Sequence, residues 1–254
     1  MSVPPAPRHT LRSVVLLACL ALAWAAVTAC GRDEADREYF AALAGEKRGA
    51  SPAELLPHVD RAIFLAPERA SYWEKRGGYR TAMGDLVGAE ADLDRAIVLA
   101  DRPYLRFERG LVRCKAGRCA EALADFDVAI AAQPENAQFY RGRALARVAA
   151  GRAEAGLEDA ERLIALASAN GESFYPRGVA LAALGRLDGA LADFDETLRR
   201  RPDLVYPLLA RAACLERLGD TARAAADRAE AKAQGAGTVR PGEGCGVCFD
   251  PLHF

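Results

Sequence analysis

Apolar and polar positions along most of this chain alternate in short blocks that repeat. The stretch 177–202 reads Arg-Gly-Val-Ala-Leu-Ala-Ala-Leu-Gly-Arg-Leu-Asp-Gly-Ala-Leu-Ala-Asp-Phe-Asp-Glu-Thr-Leu-Arg-Arg-Arg-Pro, two short amphipathic helical patterns broken at Gly185. The breaking glycine recurs as Gly84, Gly117, Gly151, Gly185 and Gly219, in steps of 33, 34, 34 and 34 residues. A fixed period of this length predicts stacked helical hairpins, each glycine supplying the left-handed backbone that a tight turn between helices needs.

Numbered within the unit, the small residues fall into register. The eighth place holds Gly77, Gly110, Ala144, Gly178 and Ala212, and the twentieth Ala89, Ala122, Gly156, Ala190 and Ala224. Small side chains let paired helices approach closely. Four places later Leu93, Phe126, Ala160 and Phe194 supply an apolar knob, which the last unit replaces with Arg228, so that unit is polar on its outer face.

With Trp73 or an aromatic relative at the fourth place and Pro134 and Pro202 closing two units, these residues resemble the tetratricopeptide repeat (TPR) family. The variety is the bacterial one with Arg-Gly in the first helix and Asp-Phe in the second. The resemblance implies an all-α, right-handed TPR solenoid of about five full repeats, 70–234, after one degenerate N-terminal repeat at 38–69. Departures from the family pattern are Arg80, Arg113, Arg147, Leu181 and Leu215 at the usually aromatic eleventh place, and Leu163 where a small residue is usual.

In the degenerate repeat Tyr39, Phe40 and Leu43 form one apolar face, Ser51 to Glu54 make a capping box, and Pro57 predicts a kink or a late helix start. Ahead of it, residues 1–29 place Arg8 and Arg12 before an apolar run over 14–27 and small residues before Cys30. This is the pattern of a signal peptide, and the run is shorter than the ~20 residues a membrane-crossing helix needs. Val27-Thr28-Ala29-Cys30 resembles the lipobox of bacterial lipoproteins. That resemblance implies lipidation of Cys30, membrane attachment through the lipid and residence in the cell envelope. With Gly31 after the cysteine, the outer membrane or periplasm is favoured in a Gram-negative cell. Residues 30–37 read as a charged flexible tether.

Past Ala233 the composition turns Gly-rich, and 235–254 form a tail carrying Cys245, Cys248 and His253. Cys245-x2-Cys248 could be a local disulfide, a metal site completed by His253, or a pair of free thiols. Of the other cysteines, Cys114 and Cys119 flank the turn of the second unit and could pair, while Cys214 reads as a small apolar residue.

Two regular features bear on function. An arginine stands at the seventh place of every full unit, Arg76, Arg109, Arg143, Arg177 and Arg211, and an aspartate at the twenty-third, Asp92, Asp125, Asp159, Asp193 and Asp227. In an antiparallel hairpin the two places lie side by side, which predicts a structural ion-pair ladder; an anion-binding arginine track is the other reading. The family resemblance further implies that places two, five, nine, twelve and thirteen of the first helix line a concave peptide groove. Here they include Tyr104, Phe107, Leu111, Leu145, Tyr175, Val179, Tyr206 and Leu209, an apolar set suited to an aromatic-bearing segment of a partner or to the chain's own tail.

Charge adds an exclusion. Without the first 29 residues, which carry Arg8 and Arg12 and no acid, 32 basic side chains face 35 acidic ones, a balance that gives no reason to expect nucleic acid. No phosphate loop, nucleophile arrangement or catalytic histidine cluster is present, and no cofactor is expected. The expected function is a non-enzymatic, lipid-anchored scaffold for protein or peptide partners. The alternative is a metal-binding or redox-sensing module acting through the Cys245/Cys248 tail.

Overall fold

A computed structural model describes residues 33–235 as two compact units, divided between Ala100 and Asp101. All regular structure among the described residues is helical. The first unit holds α1 (33–47), α2 (Pro52–Leu65), α3 (Ala70–Ala82) and α4 (Leu86–Leu99). The second holds α5 (Pro103–Lys115), α6 (Cys119–Ala132), α7 (Ala137–Ala149), α8 (Ala153–Ala167), α9 (Tyr175–Ala183), α10 (Leu187–Arg200), α11 (Val205–Leu218) and α12 (Thr221–Ala233), with a 3-10 turn, Gly171–Phe174, leading into α9. The one shortened step of the repeat, the 33 residues from Gly84 to Gly117, spans the boundary between the units.

The turns explain the period. Gly84, Gly117, Gly151, Gly185 and Gly219 have φ of 82°, 77°, 76°, 76° and 84°, a region closed to most side chains. One residue further on, the backbone N–H returns to the carbonyl five positions earlier, as from Arg118 to Arg113 at 2.8 Å and from Asp220 to Leu215 at 2.9 Å. This bond satisfies a carbonyl orphaned at the helix end and sets the second helix antiparallel to the first.

Knob and hole are matched in volume. A Cβ at Gly110 would lie 2.7 Å from the ring of Phe126, and one at Gly178 would lie 2.7 Å from Phe194. Alanine at the eighth place occurs where the twenty-fourth is Ala160 or Arg228 and no ring has to be accommodated. Leu163 is buried in α8. After that helix the chain enters α9 through the 3-10 turn, where the Ser173 hydroxyl donates to the Ala167 carbonyl at 2.6 Å, and Pro176 follows in the first turn of α9, where a missing N–H costs no helical bond.

Three expectations need correction. The described part of the charged tether, 33–37, is the first turn of α1: Ala35 is fully buried, Glu34 accepts from Arg61 at 3.0 Å, and Asp36 accepts from Arg69 and from the Tyr72 hydroxyl. Acids at a helix start are favoured by the free N–H groups there, so a charged run is compatible with order. Helix α2 starts at Pro52, directly after Ser51, whose N–H donates to Glu54 at 2.8 Å, and it runs through Pro57, so no late start occurs. Cys114 and Cys119 are two free, buried thiols rather than a disulfide, while Cys214 is buried in the core as expected. Cys30, Cys245, Cys248 and His253 lie outside the described residues, as do the signal segment 1–29 and all but the first residue of the tail 235–254. Among the described residues, no helix is long and apolar enough to cross a membrane, and no group of three or more His, Cys, Asp or Glu could hold a metal ion.

Candidate peptide-binding surface

An ion-pair ladder holds the paired helices in register. Each seventh-place arginine grips the aspartate sixteen residues on through a two-point fork, with Nε and Nη2 each reaching one carboxylate oxygen. The Nε and Nη2 distances are 2.9 and 2.7 Å for Arg76 to Asp92 and for Arg143 to Asp159, 2.9 and 2.8 Å for Arg177 to Asp193, and 2.8 and 2.7 Å for Arg211 to Asp227. Arg109 holds Asp125 in the same way. All five carboxylates are buried. The third nitrogen of three of these arginines reaches back sixteen residues, Arg76 to Asp60 at 2.8 Å, Arg143 to Asp127 at 2.7 Å and Arg211 to Asp195 at 2.5 Å, so one guanidinium ties two successive hairpins.

The eleventh-place arginines, which look like departures from the family pattern in the sequence, are a second donor to the same buried carboxylates. Arg80 reaches Asp92 at 2.9 Å, Arg113 reaches Asp125 at 2.8 Å and Arg147 reaches Asp159 at 2.9 Å. Their recurring spacing of twelve residues from the aspartate was the available signal. In the last two units Leu181 and Leu215 take this place, and Arg177 and Arg211 are left as the fork. With its guanidinium groups turned onto carboxylates, the ladder has the geometry of a structural device rather than of an anion track.

The first-helix face of the second unit carries the candidate contact surface. Phe107 and Leu111 follow each other by one turn on α5, with Tyr104 one turn before them. With Gln138, Arg141 and Gly142 of α7 they line a pocket of about 270 Å³. Phe107 forms its floor: it is 7 % exposed and packs at ring distances of 5.7 Å from Phe126, 5.0 Å from Phe139 and 5.9 Å from Tyr104. A Cβ on Gly142 would come within 2.7 Å of Phe107, so the glycine keeps the floor where it is. Tyr104, 51 % exposed, stands at the rim.

The eight expected groove residues therefore do not form one open apolar strip. Leu145 and Val179 are 4 % and 2 % exposed and belong to the core with Phe194 and Cys214, so they are not available to a partner. Leu111, Tyr175, Tyr206 and Leu209 are half-buried. The Tyr175 and Tyr206 rings meet edge to face at 4.5 Å, and beside them runs a charged chain that the sequence did not reveal. Arg141 donates to Glu172 at 3.0 Å, and Arg201 donates to the other oxygen of Glu172 at 2.6 Å. Burial first, and then the Glu172 charge, push the Tyr206 phenol well above its ordinary range, so this ring presents a neutral hydroxyl. The surface offers an aromatic pocket edged by Arg141, followed by a polar and aromatic stretch.

Comparison with known proteins fits this architecture. No family model matches the chain. It is 34 % identical over 104 residues to tetratricopeptide repeat protein 36 of Danio rerio, across 37 % of this chain and 56 % of that protein. The chain spans about half the length of the curated relatives it matches. Among solved structures it resembles a tetratricopeptide repeat protein from Parabacteroides merdae, with a TM-score of 0.68 at 15 % identity over 81 % of this chain and 82 % of that one. It also resembles PilW, a type IV pilus biogenesis factor, with a TM-score of 0.68 at 18 % identity over 78 % of this chain and 92 % of that one. The helical hairpins, their left-handed glycine turns and these likenesses together make the fold a TPR solenoid.

Proposed function

We propose that the chain is a non-enzymatic scaffold that is exported, lipidated at Cys30 and held at an envelope membrane surface, where it binds a segment of a partner protein along the first-helix face of its second unit. The pocket between α5 and α7 carries the binding part of this reading, and the Val27-Thr28-Ala29-Cys30 pattern the anchoring part. Its floor is an aromatic ring and its rim an exposed tyrosine, a combination suited to a large apolar or aromatic side chain. Aromatic anchors in such pockets dominate binding energy.

Peptides selected from a random library on the purified protein test the pocket. They are expected to share an aromatic anchor, and Tyr104→Ala should weaken them by about tenfold, or ~1.4 kcal/mol, without moving the urea midpoint. Equal affinity for the variant and the parent would reject the pocket as the contact.

Anchoring has its own test. Cys30→Ser is expected to abolish incorporation of an alkyne fatty acid that the parent acquires, and to release the protein from the membrane fraction, since acyl chains contribute ~0.8 kcal/mol per buried methylene. Label retained by the variant would refute lipidation at this cysteine.

A further inference from the structure

The turn between α5 and α6 holds two buried thiols that neither the ladder nor the pocket uses. Cys114 lies in the last turn of α5 and Cys119 is the first residue of α6, with Gly117 at φ 77° between them. The bond from the Arg118 N–H to the Arg113 carbonyl, 2.8 Å, holds the helix ends together. The two thiols are hydrogen-bonded to each other, inside the same apolar cluster as Phe107 and Phe126. Packing does not ask for sulfur here: the next repeat fills the same two places with Val148 and Ala153, also buried.

We propose that Cys114 and Cys119 form a thiol–disulfide exchange site whose substrate class is a small-molecule disulfide, and whose product is a disulfide across the α5–α6 turn. Cys119 is the attacking sulfur. It is the more exposed, 8 % against 2 %, and it stands at a helix N-terminus, where the free N–H groups favour a thiolate. The hydrogen bond from Cys114 lowers the Cys119 thiol below its usual range, while that same bond and then burial raise Cys114. In the first step the Cys119 thiolate attacks one sulfur of the disulfide, forming a mixed disulfide and expelling one small thiolate. In the second, Cys114 loses its proton to solvent and attacks the Cys119 sulfur, expelling the second small thiolate. Two protein thiols are oxidised to one disulfide, and one small disulfide is reduced to two thiols. Access comes through opening of the exposed turn residues Ala116 and Gly117.

Oxidised glutathione added to the full-length folded protein tests the proposal, with remaining thiols alkylated before non-reducing trypsin digestion. Because Arg113, Lys115, Arg118 and Arg141 are cleavage points, the expected product is peptide 119–141 joined to the dipeptide Cys114-Lys115. A transient glutathione adduct on Cys119 should precede it. Cys114→Ser should trap that adduct, and Cys119→Ser should slow reaction at position 114 by at least ~tenfold. If a variant fails to fold, the parent's time course decides alone. Glutathione remaining on Cys119 without a crosslink, a first adduct on Cys114, or two thiols left fully alkylatable would each overturn the proposal.

Discussion

Arg177→Ala is expected to destabilise the second unit by ~3–5 kcal/mol, and Arg143→Ala by distinctly less, about half as much. The aspartates facing both arginines are buried, Asp159 and Asp193 each 4 % exposed. Deleting Arg143 leaves Asp159 with Arg147 at 2.9 Å, whereas deleting Arg177 leaves Asp193 opposite Leu181, with no second guanidinium. A carboxylate without its counter-charge in a buried seam costs several kcal/mol, far more than the paired arrangement contributes in net stability. Arg118→Ala, which removes a solvent-exposed i,i+3 pair with Glu121, is the control and should cost under ~1 kcal/mol. Urea unfolding of the three variants settles the order; equal midpoints for Arg143→Ala and Arg177→Ala would show that the eleventh-place arginines do not share the load.

Phe126→Ala is expected to cost ~3–5 kcal/mol, because the ring is fully buried and fills the space left by Gly110 beneath Phe107. Gly110→Ala alone should cost ~1–3 kcal/mol, since its Cβ would press on the Phe126 ring at 2.7 Å. Once the ring is gone the clash disappears and the added methyl fills part of the cavity. The double variant should then be more stable than the sum of the single effects by at least ~1 kcal/mol. Strict additivity in a double-mutant cycle would mean that the two places do not select each other's volume. Phe64→Ala, at a ring 76 % exposed, is expected to change stability by under ~0.5 kcal/mol.

The turn glycines, the hairpin period and the pairing of the seventh with the twenty-third place were legible in the sequence for one reason. In a repeat of constant length a fixed spacing becomes a fixed geometry, so Arg143 and Asp159 must meet wherever Arg76 and Asp92 do. The same logic would have found Arg80, Arg113 and Arg147, had their twelve-residue spacing from the aspartates been weighed against the family's aromatic habit. The start of α1 was not legible in this way. Its first turn is charged and lies outside the periodic region, and its order rests on Arg61 of α2 and Arg69 at the start of α3, which are close to it only after these helices have folded against α1.

Exposure along the expected groove was decided by the tertiary structure alone. Tyr104 and Phe107 are three residues apart on α5 and equally apolar in pattern, yet one is a half-exposed rim and the other a buried floor. The difference is made by Phe139 and Gly142 on α7, which close over Phe107 and leave Tyr104 at the edge. Likewise Glu172 is an unremarkable acid until folding brings Arg141 and Arg201, 31 positions before and 29 after it, onto its two oxygens. The sequence by itself determined the helices, their turns and their register, because those depend on residues close in the chain or repeated at a constant interval. Which side chains of one face reach solvent was settled by the volumes and charges of the helix packed alongside, and no local pattern records those.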